Sequence, residues 1–410
     1  MKEESLLLLS DLQKLINQVV LIDYTIIILG DDVLDCVIAC EYNAISNGGF
    51  MIKEKLLKLC LAPLRLLPIK ENRIVFICNR GGGFCCNPKY MAQYIHENYG
   101  SQYEIIFFYN DESVVKRNNC DWITWKKFDG FGYIEALVTA KYIVSNITIP
   151  RFVPYRRQQV KMCTWHGSAF KGTGDMEYNF DKYDVFLAEN ELTYKVIREI
   201  WMYRGEILRT GMPRNDCLFN FTKKQIKNIK EKIGVPEEHL LLYAPTFRDK
   251  GDADCFSVDF LKLKAHLEDR FGGSWQVAFR YHPLQKKRNL PSGCIDLSTY
   301  EDMQELLMCT DILVTDYSSC MWDFSLMGKP CFVYASDIDR YINDERGAFL
   351  YPIDMLPFPL ARNNDELVER IVQFNRKEYE ERLEQFFKEW GRYNYDGTAT
   401  KKAVDRLLNG

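Results

Sequence analysis

Residues 73–78 read Arg-Ile-Val-Phe-Ile-Cys, a short apolar run rich in β-branched and aromatic residues, which is the signature of a strand buried on both faces. Runs of the same kind follow at YEIIFFY (103–109), YIVSNI (142–147), KMCTWHG (161–167), VFLAEN (185–190) and EILRTG (206–211). Amphipathic stretches separate them, and that alternation predicts a parallel sheet covered by helices on both faces. After the charged segment Thr222 to Lys232, read as a linker or connecting helix, the alternation restarts with LLLYAPTF (240–247), WQVAFRYHP (275–283), DILVTDYS (311–318) and PCFVYA (330–335). A second α/β domain of the same type is therefore expected. The expected division is an N-terminal extension at 1–70, a Rossmann-like domain at 71–220 and a second at 221–410, with their strand carboxyl ends facing a shared cleft.

Length and composition agree with two cores. The chain has 410 residues, of which 47% are hydrophobic and 14% aromatic, enough apolar material for two ordinary domains. Lys and Arg number 53 against 57 Asp and Glu, a net charge of −4, so no global field draws the chain to nucleic acid or anionic lipid. The fourteen cysteines are scattered through strand-like runs, with Cys85 and Cys86 adjacent, which fits a reducing cytoplasmic compartment better than a disulfide framework. The opening MKEESLLLL carries two acids before a short apolar run and no small-residue cleavage site follows, so a signal peptide is not expected. The apolar stretch 16–40 is broken by Asp23, Asp31, Asp32 and Asp35, and no membrane-spanning helix is read there.

Residues 1–50 end in the turn-like Ser46-Asn47-Gly48-Gly49 and suggest a small appended unit of helix and strand. In 51–70, Lys53, Lys55, Lys58, Arg65 and Lys70 interleave with leucines. Such a basic amphipathic segment either lies on an anionic membrane or packs its leucines on the neighbouring domain, and Pro63 and Pro68 interrupt a long helix in both cases.

Chemistry collects at the predicted strand ends. His166 closes one strand, and the following Gly167 and the loop SAFKGTG (168–174), which contains Lys171, are able to bring backbone N–H groups to an anion. A histidine there can take a proton from a hydroxyl at neutral pH; alone, it equally suits a side chain that only bonds the loop. Arg280 and His282 share one face of the strand end that Pro283 terminates, a pair suited to a phosphate or merely exposed to solvent. In the run Thr315-Asp316-Tyr317-Ser318-Ser319, the two serines stand before a helix expected at 321–327, where hydroxyls and free N–H groups either bind a diphosphate or cap the helix. Weaker polar clusters fall at Ala244 to Arg248, which includes Thr246, and at Gly211 to Asp216. No GxxxxGK[ST] loop, HExxH, CxxC pair, GxSxG elbow or helix-opening GxGxxG occurs, which argues against those chemistries.

Taken in order, Asn87-Pro88-Lys89, KYIVSNITIP (141–150), WHG (165–167) with Lys171 and Gly174, TGMPRND (210–216), YAPTFRD (243–249), RYHP (280–283), TDYSS (315–319) with Asp323-Phe324, ERG (345–347) and DGTAT (396–400) resemble the CDP-glycerol glycerophosphotransferase family. That family includes teichoic acid primases and polymerases and related capsule enzymes, and the resemblance runs from about Asn79 to the C-terminus. It implies a two-domain, glycosyltransferase-B-like fold with the nucleotide held mainly by the second domain. It also implies His166 as the general base on the acceptor hydroxyl, His282 and Arg280 on the donor diphosphate, and Thr315, Ser318 and Ser319 on the same phosphates. Gly167, Lys171, Thr246, Arg248 and Asp316 are further candidate contacts with donor or acceptor. The loop SAFKGTG departs from the threonine-proline-leucine start usual in the family, and the first 70 residues match nothing in it.

The expected reaction is transfer of glycerol phosphate from CDP-glycerol to a lipid-linked or glycan acceptor at the cytoplasmic membrane's inner face, with release of CMP. CDP-ribitol or another CDP-alditol is the first alternative donor. A nucleotide-sugar glycosyltransferase or epimerase of similar fold is the second alternative, and a non-catalytic scaffold in a polymerase complex the third. The sequence assigns no metal ligands, leaves a divalent metal and the oligomeric state open, and predicts no nucleic-acid partner.

Overall fold

The computed structural model describes residues 57–168, 170, 180–236, 238–248, 258–282, 285, 290–346, 349–393 and 396–410, together with a two-residue strand pair, β1 (Leu21–Ile22) and β2 (Thr25–Ile26). Most of the expected N-terminal extension, including 51–56, lies outside the described residues, as does Lys171.

The first sheet contains β3 (Lys70–Ile77), β4 (Glu104–Tyr109), β5 (Ile123–Lys127), β6 (Ala140–Ser145), β7 (Val160–Cys163), β8 (Val185–Ala188) and β9 (Glu206–Arg209). Their order is β5-β4-β3-β6-β7-β8-β9 and every pairing is parallel. The near-continuous apolar runs follow from burial on both faces. Along β3, Val75 and Ile77 enter one core while Ile74 and Phe76 enter the other, as the two-residue period of a strand requires.

The second sheet contains β10 (His239–Tyr243), β11 (Trp275–Phe279), β12 (Ile295–Asp296), β13 (Ile312–Thr315), β14 (Cys331–Tyr334) and β15 (Leu360–Ala361). Its order, β12-β11-β10-β13-β14-β15, is again wholly parallel. Both sheets are doubly wound, with order reversing between β3 and β6 in the first and between β10 and β13 in the second, and such switch points open crevices beyond the strand carboxyl ends. The α/β architecture is the glycosyltransferase-B-like one expected.

Between the sheets, the helix Lys223–Lys232 starts with a capping box made by Thr222 and Gln225. The C-terminal helix Ala399–Asn409 crosses back, so that Ala403, Val404 and Leu407 join a core of the first sheet. The carboxylate of Asp216 accepts from the backbone N–H groups of Ala399 and Thr400 and holds the start of that helix.

Of the basic segment, Leu61, Leu64 and Leu67 are buried in the core of the first sheet, each worth about 1.5–3 kcal/mol on removal from water. Arg156 donates to the carbonyls of Arg65 and Leu67 and fixes the segment's exit. Those leucines therefore pack on the neighbouring domain. Leu59 and Leu66 face outward at 71% and 74% exposure. No helix among the described residues is long and apolar enough to cross a membrane.

Candidate active site

β7 delivers His166, two residues after Thr164 pairs its N–H with the Ser145 carbonyl at the end of β6. Trp165 adopts a left-handed backbone, φ 53°, which turns the chain and leaves the His166 ring exposed. The ring Nδ1 lies 2.7 Å from the Asn146 carbonyl oxygen. A carbonyl only accepts, so Nδ1 carries the proton and Nε2 is the basic nitrogen of the neutral ring. The backbone of Asn146 thus fixes the tautomer that general-base work needs. In turn, the Asn146 side chain exchanges two hydrogen bonds with Asn79 at the end of β3, each 2.9 Å.

Gly167 faces the second sheet. A Cβ placed there would stand 2.8 Å from Ser319 Oγ and 3.3 Å from Ser319 Cβ. The residue after the histidine and the serine of the second unit are consequently packed together, and only glycine admits that approach without displacing Ser319. Ser319 is the N-cap residue of the short helix Cys320–Ser325, yet its side chain makes no capping bond. Ser318 and Ser319 are both half-buried at this seam.

Arg280 and His282 follow β11, next to β10. Arg280 extends the ladder through its N–H to the Tyr243 carbonyl, and its Nη2 donates to the Tyr300 carbonyl at 3.2 Å. Its Nε is buried without a hydrogen-bond partner among the described residues. Burial pulls the guanidinium pKa below its ordinary value, with Cys85, Cys320 and Asp302 close enough to act against that shift. Arg280 is thus a half-buried cation with donor capacity in hand, set between the loop after β3 and the helix that follows Ser319. The His282 ring is half-buried with its centroid 4.8 Å from that of Phe247.

Thr315, Asp316 and Arg248 take a different place, beneath this surface. Thr315 is fully buried and its hydroxyl donates to the Ala244 carbonyl at 2.7 Å, locking the ends of β10 and β13 together. The guanidinium of Arg248 binds Asp316 at 2.8 Å and both oxygens of Asp337 at 2.7 and 3.0 Å, with side-chain exposures of 1%, 0% and 2%. Asp316 also accepts from the Thr246 N–H at 2.8 Å and from the Tyr317 N–H. Thr246 itself is 5% exposed and its Oγ1 has no partner among the described residues.

Several residues at this seam carry no signal that sequence reasoning isolated. Asn146 acts through a backbone carbonyl, which no side-chain pattern betrays. Asn87, Arg214 and Asp323 fall in quoted motifs, yet their part appears only in three dimensions: Arg214 binds Asp323 through Nε and Nη2 at 3.0 Å each. On the same seam, Lys89 meets Asp302 at 2.5 Å and Glu305 at 2.9 Å, and Glu301 accepts from the Phe84 N–H and from Asn118. Among the described residues no group of three His, Cys, Asp or Glu is placed to hold a metal ion.

Comparison with known proteins identifies a family and a fold. Residues 61–409 match a family model described as CDP-glycerol:poly(glycerophosphate) glycerophosphotransferase. A teichoic acid poly(glycerol phosphate) polymerase of Bacillus spizizenii is 29% identical over 377 residues, covering 84% of this chain and 93% of that protein. A teichoic acid glycerol-phosphate transferase of Staphylococcus aureus is 28% identical over 377 residues, covering 84% and 95%. A solved structure of the wall teichoic acid polymerase TagF superposes with a TM-score of 0.72 at 25% identity, covering 87% of this chain and 92% of that one.

Proposed function

Because this chain belongs to the CDP-glycerol:poly(glycerophosphate) glycerophosphotransferase family, we propose that His166 and the seam it faces carry out the family's reaction, with an acceptor hydroxyl attacking the glycerol-bearing phosphorus of CDP-glycerol. The enzyme is a transferase acting in cell-surface polymer synthesis, and CMP is the leaving group. His166, its tautomer set by the Asn146 carbonyl, takes the acceptor proton on Nε2. Negative charge develops on the phosphoryl oxygens and on departing CMP, and Arg280, His282, Ser318, Ser319 and the Thr246 hydroxyl are the donors assigned to it. Arg248, Asp316 and Thr315 hold those donors from below. The single observation that supports this most is the packing of Gly167 on Ser319, which brings the base of one unit to the hydroxyls of the other. The acceptor is read as lipid-linked or glycan, on the side of the first sheet.

The direct test is CMP release by the purified protein offered CDP-glycerol and CDP-ribitol side by side. Release from CDP-glycerol with a teichoic-type acceptor is expected, and Arg280→Gln is expected to lower it by roughly 10²-fold, as loss of one preorganised donor does elsewhere. Release from CDP-ribitol alone would reassign the donor, and consumption of a UDP-sugar with no CMP formed would move the enzyme to another reaction.

We also read the outer side of the segment at 57–70 as a membrane-facing edge, since Leu59 and Leu66 project there beside exposed Lys58, Arg65 and Lys70. Deleting the segment would tear Leu61, Leu64 and Leu67 from the core, so point changes are the better probe. Leu59→Ser with Leu66→Ser is expected to weaken co-sedimentation with phosphatidylglycerol vesicles by at least about tenfold, from the apolar area withdrawn. Equal pelleting by the double variant would remove this edge from the membrane.

A further inference from the structure

The turn that presents His166 is strained, because Trp165 holds a left-handed backbone that a bulky side chain seldom adopts. Such a conformation persists only where its surroundings enforce it. Here the enforcing group is Asn87, fully buried in the helix Cys86–Tyr99, whose Nδ2 donates to the carbonyls of Thr164 at 3.1 Å and Trp165 at 3.0 Å. The other end of the same amide is also engaged: Asn87 Oδ1 accepts the Arg214 N–H at 3.0 Å.

Arg214 then reaches across the seam. Its guanidinium holds both oxygens of Asp323 in the helix that begins after Ser319. Asp323 is further bonded by Asn215 at 2.7 Å and Gln304 at 3.0 Å, so its four acceptor positions are filled. Two sets of hydrogen bonds, one at the backbone of Arg214 and one at its guanidinium, thus link the peptide preceding His166, through Asn87 and Arg214, to the helix that follows Ser319.

We propose that Asn87 and Arg214 are positioning residues of the transfer reaction, which hold the Trp165 turn and fix its distance from the Ser319 helix through Asp323. They touch neither substrate. Their effect passes through the aim of His166, and the inference therefore rests on the reading of His166 as the base. A buried fork-to-carboxylate pair suits this task because it is directional, whereas a lysine at 214 would keep the charge but lose the geometry.

The test uses the full chain and its CMP release from CDP-glycerol with acceptor. Asn87→Asp keeps the acceptor oxygen for Arg214 and removes both donors to the strained turn. It is expected to lower kcat by about 10²-fold, the scale of a misplacement near 1 Å, with the donor KM held within about twofold. In a His166→Ala background the same change is expected to have no further effect, since residues acting as a unit are not additive. Arg214→Lys provides a second variant that retains the buried cation. The comparison is Arg73→Gln, which breaks a part-buried cluster with Glu104 and Glu135 midway along β3 and is expected to reduce stability with kcat within about twofold of the parent. A kcat that follows thermal stability alone across these variants, or a full additive loss on top of His166→Ala, overturns the positioning role. A His166→Ala enzyme of normal turnover would instead remove the base reading on which it stands.

Discussion

Replacement of His166 by alanine is expected to lower glycerol phosphate transfer by 10²- to 10⁴-fold, the usual worth of a positioned general base. The residue is exposed, with its Nδ1 on the Asn146 carbonyl and its ring 4.3 Å from that of Trp165, so the unfolding midpoint is expected to fall far less than the rate. The donor KM is expected to change little, because the histidine serves the acceptor hydroxyl and not the diphosphate. Single-turnover CMP release checks this directly. A fall confined to KM would place His166 on the donor, and an unchanged rate would leave the seam without a base.

Much of this seam was legible in the sequence, for a physical reason. Apolar runs such as Ile312 to Val314 are long enough to identify strands buried on both faces, and in parallel sheets the polar residues that close those runs collect at one edge. His166, Arg280, His282, Ser318 and Ser319 all stand there. What sequence could not separate was a polar residue facing the cleft from one facing inward. Thr315 and Asp316 stand only a few residues before Ser318, yet the first bonds Ala244 and the second Arg248 inside the fold. Parallel-strand periodicity fixes the face of a sheet, but past the strand end the chain turns freely and the alternation ends. Arg248 stands in a polar cluster at a strand end and is for that reason a candidate contact with donor or acceptor, whereas its pairing with Asp337, 89 residues away, places it in the interior. The leucines of the basic segment pose the same difficulty: amphipathicity demands that an apolar face be covered without naming what covers it.

Arg248→Met is expected to destabilise the second unit by about 3–5 kcal/mol, because it leaves Asp316 and Asp337 buried with no cation between them. The guanidinium sits over the rings of Tyr317 and Tyr341 at 5.1 and 4.9 Å, and methionine of similar length preserves much of that packing. The loss is therefore electrostatic in origin, and it should be largely reversed in the triple variant Arg248→Met, Asp316→Asn, Asp337→Asn, where no buried charge remains. The residual deficit of the triple variant measures what the carboxylates contribute through Thr246, Tyr317 and its hydroxyl, all bonded to them. Those bonds set the ends of β10 and β13, after which Thr246 and Ser318 follow in the chain. A triple variant that recovers its denaturant midpoint but binds CDP-glycerol more weakly would then show the charge cluster to act on the donor site through geometry. A single Arg248→Met change that shifts the midpoint by less than about 1 kcal/mol would contradict the buried three-way ion cluster itself.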